Sequence, residues 1–486
     1  MERLIPAGRL KTLSAREIPA SRLGIGFEKL DRDVFDPEKA YGPLAAIGVK
    51  KVRLQSGWMK TERQEGVYDF AWLDSIVDRL AADGMEPWLC LCYGNPLYTD
   101  HARLTFGAVG CPPIADERQR GAWLRYVDAT VRHFRGRIRL YEIWNEPDLG
   151  YSWKHRDGET PEETDWQRNA AEYGRFARDT ARAIRQADPG SEVAALTLSR
   201  TGNLSYANGA LAAGLAEEID YVSFHIYSPD DRVRAAQIEA LGRLAHGYNP
   251  RIRLIQGESG AQSRSDGHGA MRGFAWTPEK QVKWLLRSMI TDLETEVAFT
   301  SYFSTMDMIE ALNGRTGQVA SYLDYGYFGV LSASFDEEGR ATGEYTPKPA
   351  YAALQALAAL MRGNARPCSL AYVPERLSSV RVNGMDFAGD SLRVCPFRLE
   401  DGSVMLAYWN AVDLLTETYE GTCSLAVYGA PSDRLRLCDL RDGTLYQLPE
   451  GMSEDLGHGG VRLKHLPLTD CPLAVLFTGK ETEPCA

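Results

Sequence analysis

Short apolar runs alternate with long amphipathic segments from about residue 23 to residue 363. Eight of these runs are predicted strands, because they are apolar, aromatic and bounded by turn residues; they begin at Leu23, Val49, Glu86, Ile138, Val193, Ile219, Arg251 and Glu296. The segments between them place apolar residues at helical spacing. One helix is predicted to begin at Pro278, with Thr277 as its N-cap. Eight strand–helix units without a glycine-rich phosphate loop after the first strand predict an α/β fold, the (β/α)₈ TIM barrel.

The pattern changes after a last helical segment that begins at Lys348. From about Arg366 onward, short alternating runs are separated by Gly, Asp, Asn and Pro, which is typical of an antiparallel β-sandwich. We therefore predict a barrel over residues 23–363 and a C-terminal β-sandwich accessory domain over residues 364–486. Residues 1–22 are predicted to form an N-terminal segment that pairs with the β-domain.

Charge and composition exclude several classes of partner. The net charge is −11 and no run is rich in lysine or arginine, which argues against nucleic acid and anionic membranes as partners. No apolar run is long enough to span a membrane, and the N-terminal residues lack the apolar centre of a signal peptide. The nine cysteines are scattered without zinc-site spacing. We expect a cytoplasmic protein, although a start trimmed upstream would leave secretion open.

Two carboxylates are expected at the mouth of the barrel, where the C-terminal strand ends meet. Glu146 follows Asn145 at the end of the fourth strand, and Glu258 lies at the end of the seventh. Such a pair indicates glycoside hydrolysis, in which one carboxyl protonates the leaving oxygen and the other attacks the sugar or activates water. Trp144 gives Glu146 a partly apolar setting that suits a general acid. The small neighbours of Glu258 allow a sugar ring to approach a nucleophile.

Seven candidate substrate-binding residues lie at or just beyond strand ends: Arg53, Asn95, Asn145, Trp153, His225, Tyr227 and Tyr302. Asn145 is predicted to hydrogen-bond the sugar 2-hydroxyl, and Trp153 to stack on a sugar face. Arg53 would be costly to bury without a partner, and either Glu258 or Glu142 can serve. Whether Arg53 supports catalysis or only balances Glu142 stays open. Glu142 itself is predicted to be a structural ion-pair member.

The stretch LYEIWNEPD at residues 140–148 resembles the acid/base strand of glycoside hydrolase clan A. The Asn-Glu pair of the clan matches Asn145 and Glu146, and its nucleophile matches Glu258 in LIQGESG. The clan's His-x-Tyr matches His225 and Tyr227. NEPDLGYSW and the appended β-domain are most similar to family 39, the β-xylosidase and α-iduronidase group. The resemblance implies a (β/α)₈ barrel and hydrolysis with retention of anomeric configuration.

The expected function is therefore a retaining glycoside hydrolase that cleaves β-glycosidic bonds through a covalent glycosyl-enzyme. The family-39 likeness favours exo-action on a β-xyloside or a related glycoside, and no metal or organic cofactor is required. The alternatives are an endo-glycanase or arabinofuranosidase of the same clan, or a carbohydrate-binding scaffold without catalysis. The β-domain is expected to support the barrel, to mediate homo-oligomer contacts or to bind glycans.

One departure from the clan's pattern and one charged loop leave the sugar open. Many clan members place a tryptophan on the eighth strand under the sugar, where this chain has Tyr302 and Phe303. The loop after the seventh strand carries Arg264, His268 and Arg272, which either bind an anionic sugar or are solvated surface charges.

Overall fold

The computed structural model describes residues 4–159, 166–295, 297–311, 314–376, 380–387, 392–431 and 433–479. After a short strand β1 (Ile5–Arg9), eight parallel strands close into a barrel in chain order. They are β2 (Leu23–Gly26), β3 (Lys51–Gln55), β4 (Glu86–Leu91), β5 (Leu140–Ile143), β6 (Glu192–Leu198), β7 (Tyr221–His225), β8 (Arg253–Ser259) and β9 (Val297–Tyr302). The predicted TIM barrel is confirmed, because all eight predicted runs supply one strand each.

The helices lie outside the barrel and have the apolar spacing that the sequence predicts. They are α1 (Pro37–Ile47), α2 (Trp58–Thr61), α3 (Ala71–Ala82), α4 (Glu117–His133), α5 (Trp166–Ala187), α6 (Leu204–Ala210), α7 (Arg234–Tyr248), α8 (Pro278–Glu294) and α9 (Pro349–Leu360). At the start of α8, the Thr277 hydroxyl accepts a hydrogen bond from the Lys280 backbone N–H at 3.3 Å, as the predicted N-cap requires. None of the described helices has both the length and the apolar character that a membrane crossing needs.

The interior of the barrel is apolar near the starts of the strands. A separate buried cluster comes from the first halves of six barrel strands: Trp88, Leu140, Ala194, Tyr221, Ile255 and Phe299. These side chains fill the end of the barrel opposite the mouth. The polar residues of the barrel strands therefore collect at the carboxyl ends, where the candidate site lies.

Two short antiparallel pairs follow the barrel, and the C-terminal strands then form a β-sandwich, as predicted. The pairs are β10 (Met308–Ile309) with β11 (Tyr325–Gly326), and β12 (Leu331–Phe335) with β13 (Ala341–Pro347). The later strands are β14 (Arg366–Pro367), β15 (Ala371–Arg376), β16 (Val380–Val382), β17 (Met385–Phe387), β18 (Leu392–Arg398), β19 (Val404–Asn410), β20 (Tyr419–Glu420), β21 (Thr422–Tyr428), β22 (Arg434–Asp439), β23 (Thr444–Gln447), β24 (Ser453–Gly457), β25 (Gly460–Pro467) and β26 (Leu473–Thr478).

The largest antiparallel sheet has the order β1-β23-β22-β26-β19-β18-β14, and a second has the order β15-β21-β25-β24. Their facing side chains form one apolar cluster that includes Leu406, Val475, Leu425 and Leu463. Strand β1 lies at the edge of the larger sheet, where it runs antiparallel to β23. The beginning of the chain is thus attached to the sheet formed near its end.

Helix α8 joins the barrel to the β-sandwich through polar contacts, one of which is a buried ion pair. The Lys283 ammonium lies 2.6 Å from the Asp470 carboxylate, and both side chains are buried. Arg287 on the same helix donates to the Val412 carbonyl at 3.0 Å. Lys280 donates to the carboxylate of Glu417. These contacts make α8 a helix buried between two layers rather than an exposed barrel helix.

Candidate active site

A single buried arginine connects four side chains at the mouth of the barrel. The Arg53 Nε donates to Glu142 at 2.6 Å, and its Nη2 donates to the Asn145 carbonyl oxygen at 2.9 Å. Its Nη1 donates to Glu258 at 2.5 Å and to Glu28 at 3.1 Å. Arg53 therefore contacts both of the partners that the sequence left open. A guanidinium suits this position, because it presents several fixed donors at once.

Glu258 is held as a carboxylate by its neighbours. The Tyr227 hydroxyl donates to Glu258 Oε1 at 2.6 Å, on the oxygen not bonded to Arg53. Burial favours the protonated acid, but the charges of His225 and Arg53 and the Tyr227 hydrogen bond outweigh it and lower the pKa of Glu258. An ionised carboxylate at this strand end is suited to nucleophilic attack.

Glu146 reaches the site because the chain leaves strand geometry just before it. Trp144 and Glu146 both have positive φ, at 66° and 48°, so the backbone turns sharply after β5. The His225 Nδ1–H donates to the Glu146 carboxylate at 2.8 Å. Burial lowers the pKa of His225, but Glu258 and Glu146 outweigh this effect and raise it. The His225 ring thus lies between the two candidate catalytic carboxylates, 3.9 Å from Glu258.

Exposure divides the four carboxylates of the site into two pairs. The side chains of Glu146 and Glu258 are 15% and 10% exposed, whereas those of Glu28 and Glu142 are 2% and 0% exposed. The first pair can meet a substrate at the mouth. The second pair lies beneath it, and Glu142 also accepts a hydrogen bond from the Ser223 hydroxyl.

Three groups of the site are close enough to hold a metal ion. Glu146, His225 and Glu258 each offer one ligand atom, and these atoms lie within 4.8 Å of one another. However, the Arg53 guanidinium occupies one oxygen of Glu258 at 2.5 Å and its charge opposes a cation. The geometry therefore fits a carboxylate pair better than a metal centre.

Glu28 is a site residue that the sequence reading missed. It lies two residues beyond the end of β2, and burial together with the charge of Glu258 raises its pKa to about 8. Near neutral pH it therefore carries a proton for much of the time beside the ionised Glu258. The signal in the sequence is a carboxylic acid just past the first strand, the same position relative to a strand end that makes Glu146 and Glu258 candidates.

Trp153 is not a sugar-stacking residue, which corrects the prediction made for it. Its ring is fully buried, and its indole N–H donates to Glu172 at 3.0 Å. The ring packs edge-on against Trp144 and against Tyr173 and Phe176 of α5, at centroid distances of 5.4–5.6 Å. The loop after β5 folds inward onto α5, so the aromatic face is used for packing.

Asn95 and Tyr302 are buried with their polar side-chain atoms bonded to the backbone, which does not support the substrate contacts predicted for them. Both ends of the Asn95 amide bond to backbone, since Nδ2 donates to the Glu62 carbonyl at 2.8 Å and Oδ1 accepts from Leu97 N–H at 2.9 Å. The Tyr302 hydroxyl donates to the Ala261 carbonyl at 3.3 Å, and the ring packs against Trp284 of α8.

The next residue along the chain, Phe303, lies closer to the site. Its ring meets the Tyr227 ring edge-on at a centroid distance of 6.4 Å, and the Lys29 ammonium lies 5.5 Å from its centre. Side chains on a strand alternate between the two faces, so Tyr302 and Phe303 point to opposite sides of the barrel wall.

Comparison with known proteins finds partial matches to glycoside hydrolases. A family model described as Beta-galactosidase, of glycoside hydrolase family 42, matches residues 30–96, which precede both Glu146 and Glu258. The Beta-xylosidase of Geobacillus stearothermophilus is 25% identical over 170 residues, which are 33% of this chain. The match spans only 31% of that relative's length.

Solved structures show the same fold over nearly the whole chain. A family 39 glycoside hydrolase from Bacteroides cellulosilyticus WH2 has a TM-score of 0.64 at 15% identity, covering 96% of this chain and 82% of the other. A family 39 β-xylosidase from Caulobacter crescentus has a TM-score of 0.57 at 18% identity, covering 97% of both chains. The chain resembles clan A glycoside hydrolases, close to family 39. This confirms the resemblance inferred from LYEIWNEPD.

Proposed function

We propose that this chain is a retaining glycoside hydrolase that cleaves β-glycosidic bonds. The observation that carries the proposal is the spacing of the carboxylates: an oxygen of Glu146 and an oxygen of Glu258 lie within 4.8 Å. Retaining enzymes separate the two carboxyl groups by roughly 5–5.5 Å, whereas inverting enzymes leave roughly 6.5–9.5 Å for a water molecule. The short spacing supports direct attack by a carboxylate on the sugar.

In the first step, a Glu258 oxygen forms a bond to the anomeric carbon while the bond to the leaving oxygen breaks. Glu146 gives its proton to that oxygen, so the leaving group departs neutral. In the second step, the Glu146 carboxylate takes a proton from water, and the resulting hydroxide displaces Glu258 from the sugar. Tyr227 and Arg53 hold one oxygen each of Glu258 and orient it for attack.

Asn145 is assigned to the sugar 2-hydroxyl. Its carbonyl oxygen accepts from Arg53 at 2.9 Å, so the amide NH₂ is the group left to donate to a substrate. A hydrogen bond to the 2-hydroxyl strengthens as the transition state forms. Arg53 thus contributes to catalysis by orienting Asn145 and Glu258.

We further propose that the chain acts in the exo mode on a β-xyloside or related glycoside. This proposal is supported by a contact between the loop after β2 and the loop after β9, where the Lys29 ammonium donates to the Ile309 carbonyl at 2.8 Å and lies 3.3 Å from Glu310. Both charged side chains are buried, which limits the space for further sugars there. A panel of aryl glycosides (xylo, gluco, galacto, arabino and glucurono) identifies the preferred sugar.

The mechanism is tested with azide as an external nucleophile. In Glu258→Ala, hydrolysis of an aryl β-glycoside is expected to fall by about 10³-fold or more, and azide should restore turnover as the α-glycosyl azide. Glu146→Ala is the matched variant, because azide should there replace water in the second step and give the β-glycosyl azide. Full activity of Glu258→Ala would show that the nucleophile is wrongly assigned. Binding of aryl glycosides without turnover in the unmodified chain would instead favour a carbohydrate-binding scaffold.

A further inference from the structure

A large cavity adjoins the barrel mouth. Its volume is about 1050 Å³, and loops after β5, β6 and β7 line it with Leu149, Thr201 and Ile226 among others. Tyr227 also lines this cavity and donates to Glu258, so the space adjoins the carboxylate pair. Asp148, two residues beyond Glu146, forms part of the wall.

The position of the cavity indicates that the leaving group of the reaction would bind there. A general acid must lie within hydrogen-bond distance of the oxygen that it protonates. The leaving group is therefore expected near Glu146, and the cavity wall includes Asp148, two residues beyond it, and Tyr227, which donates to Glu258. The wall carries hydroxyl and amide groups, including those of Thr201, Asn203, Ser205 and Gln237, which suit a hydroxylated ligand such as a sugar.

The charge of the wall is positive, although the chain as a whole has a net charge of −11. Arg200 and Arg272 line the cavity from the loops after β6 and β8, and both are exposed. Within the described part of the chain, neither guanidinium lies in an ion pair. By contrast, Arg264 in the same loop as Arg272 pairs with Asp266 at 2.5 Å.

Asp148 is the single carboxylate among the described residues of the wall, and it is buried. Its oxygens accept from the backbone N–H and hydroxyl of Ser199 at 2.8 and 3.1 Å and from Asn203 at 3.4 Å. Asp148 is buried and hydrogen-bonded to these donors, and burial raises its pKa to about 6, whereas both arginines are exposed. The two arginines therefore dominate the charge that a ligand meets.

We propose that this cavity binds the leaving-group part of the substrate, and that this part is a sugar carrying an anionic group, a carboxylate or a sulfate, recognised by Arg200 and Arg272. The identification of the ligand as a leaving group rests on the proposed hydrolase function. The binding of anionic sugars rests on the cavity alone. Arginine suits this role because its planar fork pairs with carboxylate and sulfate oxygens.

The test compares glucuronate, glucose 6-sulfate and glucose as probes, with binding to the full chain followed by saturation-transfer NMR at constant ionic strength. At least one anionic probe is expected to bind about tenfold or more tightly than glucose, and the better of the two identifies the group. Arg200→Gln combined with Arg272→Gln should abolish this preference. Arg264→Gln is the matched control and should keep it, because Arg264 is paired with Asp266.

Equal binding of the three probes, no binding at all, or a preference that survives the double variant would each overturn the inference. The same variants are compared on aryl glycosides whose leaving groups are negatively charged or uncharged. The kcat/KM for the charged leaving group, divided by that for the uncharged one, should fall about tenfold in the double variant. Anionic preference without hydrolysis of any aryl glycoside supports the site and refutes the hydrolase. Hydrolysis without anionic preference refutes the site and leaves the hydrolase intact.

Discussion

At the scale of residues, the site is organised by charge balance around Arg53. One guanidinium contacts three buried or nearly buried carboxyl groups, those of Glu28, Glu142 and Glu258. Three ionised carboxylates would leave negative charge in a medium of low dielectric constant, which is costly. The raised pKa of Glu28 resolves this, because a proton on Glu28 leaves Glu258 ionised for attack.

Glu28→Gln is expected to change how stability depends on pH. The pKa of Glu28 rises from 4.5 to about 8 on folding. The contribution of protonated Glu28 to the free energy of unfolding is therefore fully present below pH 4.5 and is lost as the pH rises through 8. Glutamine carries no such proton, so the variant should lose less stability over this range. Thermal unfolding from pH 4.5 to 9 measures the difference. Asp148 titrates in both proteins, and exposed Glu65→Gln is the control; equal slopes in the wild type and Glu28→Gln would contradict the assignment.

Arg53→Met is expected to lower the free energy of unfolding by about 3–5 kcal/mol, because Glu142 and Glu258 lose their buried partner. Urea denaturation measures this loss. Arg53→Lys keeps a charge but not the fork, so it should lose less stability and still lose activity, since Asn145 and Glu258 are no longer held together. A Met variant as stable as the wild type would mean that these carboxylates do not depend on Arg53.

At the scale of elements, the ends of the barrel strands position the residues of the site, whereas the direction of the loops beyond them is set by packing against the helices. The sharp turn after β5 presents Glu146 at the mouth and sends Trp153 back against α5. A tryptophan close in sequence to Glu146, the proposed catalytic acid, is thus part of the core. Its energetic role should appear in stability rather than in substrate affinity.

Trp153→Ala is accordingly expected to cost about 3–5 kcal/mol of unfolding free energy, as for other large buried side chains. The KM of the fraction that remains folded should stay near the wild-type value, because the ring does not face the sugar. Chemical denaturation and aryl glycoside kinetics test the two parts separately. Trp153→Phe keeps most of the packing and serves as the control; a raised KM in that variant would restore the stacking role.

Thr277→Ala should lower the unfolding free energy by about 1 kcal/mol, because α8 loses the hydroxyl that accepts from Lys280 N–H. Thr277→Ser keeps the cap and should keep nearly all of the stability. Thermal unfolding of the two variants side by side measures the cap. Equal losses of unfolding free energy in Thr277→Ala and Thr277→Ser would indicate that the methyl group of Thr277, and not its hydroxyl, stabilises the helix.

At the scale of the whole molecule, α8 makes the barrel and the β-sandwich depend on each other. The Lys283–Asp470 pair is buried between them, so removing one partner leaves an uncompensated charge. Asp470→Ala is expected to cost about 3–5 kcal/mol, whereas Lys283→Met with Asp470→Leu should recover much of that loss. Tryptophan fluorescence and far-ultraviolet circular dichroism measure the unfolding of the barrel and the β-sandwich.

The exposed Arg9–Asp442 pair provides the control, since Asp442→Ala should cost at most about 1 kcal/mol. We expect the fluorescence and dichroism transitions to coincide in the wild type, because α8 is shared by both layers. Separate transitions, or a loss in Asp470→Ala no larger than in Asp442→Ala, would contradict coupling through α8.

The sequence by itself determined the barrel, its eight strands and the two carboxylates at the ends of β5 and β8. Strand alternation and helical spacing are local patterns, and residues at the carboxyl ends of parallel strands must meet at one mouth. This is why Glu146, Glu258, His225 and Tyr227 were found from strand position alone, and why Asn145 was named beside them.

Only the tertiary structure decided which side chains share Arg53, which aromatic rings are buried and which arginines are unpaired. Glu28 joins the site because its carboxylate lies 3.1 Å from Arg53, a contact that no sequence spacing records. The direction of Trp153 depends on how α5 lies against its loop. Arg264 and Arg272 look alike in sequence, but Asp266 neutralises one while the other lines the cavity. Local patterns specify elements, whereas partners, burial and charge balance arise when distant segments pack together.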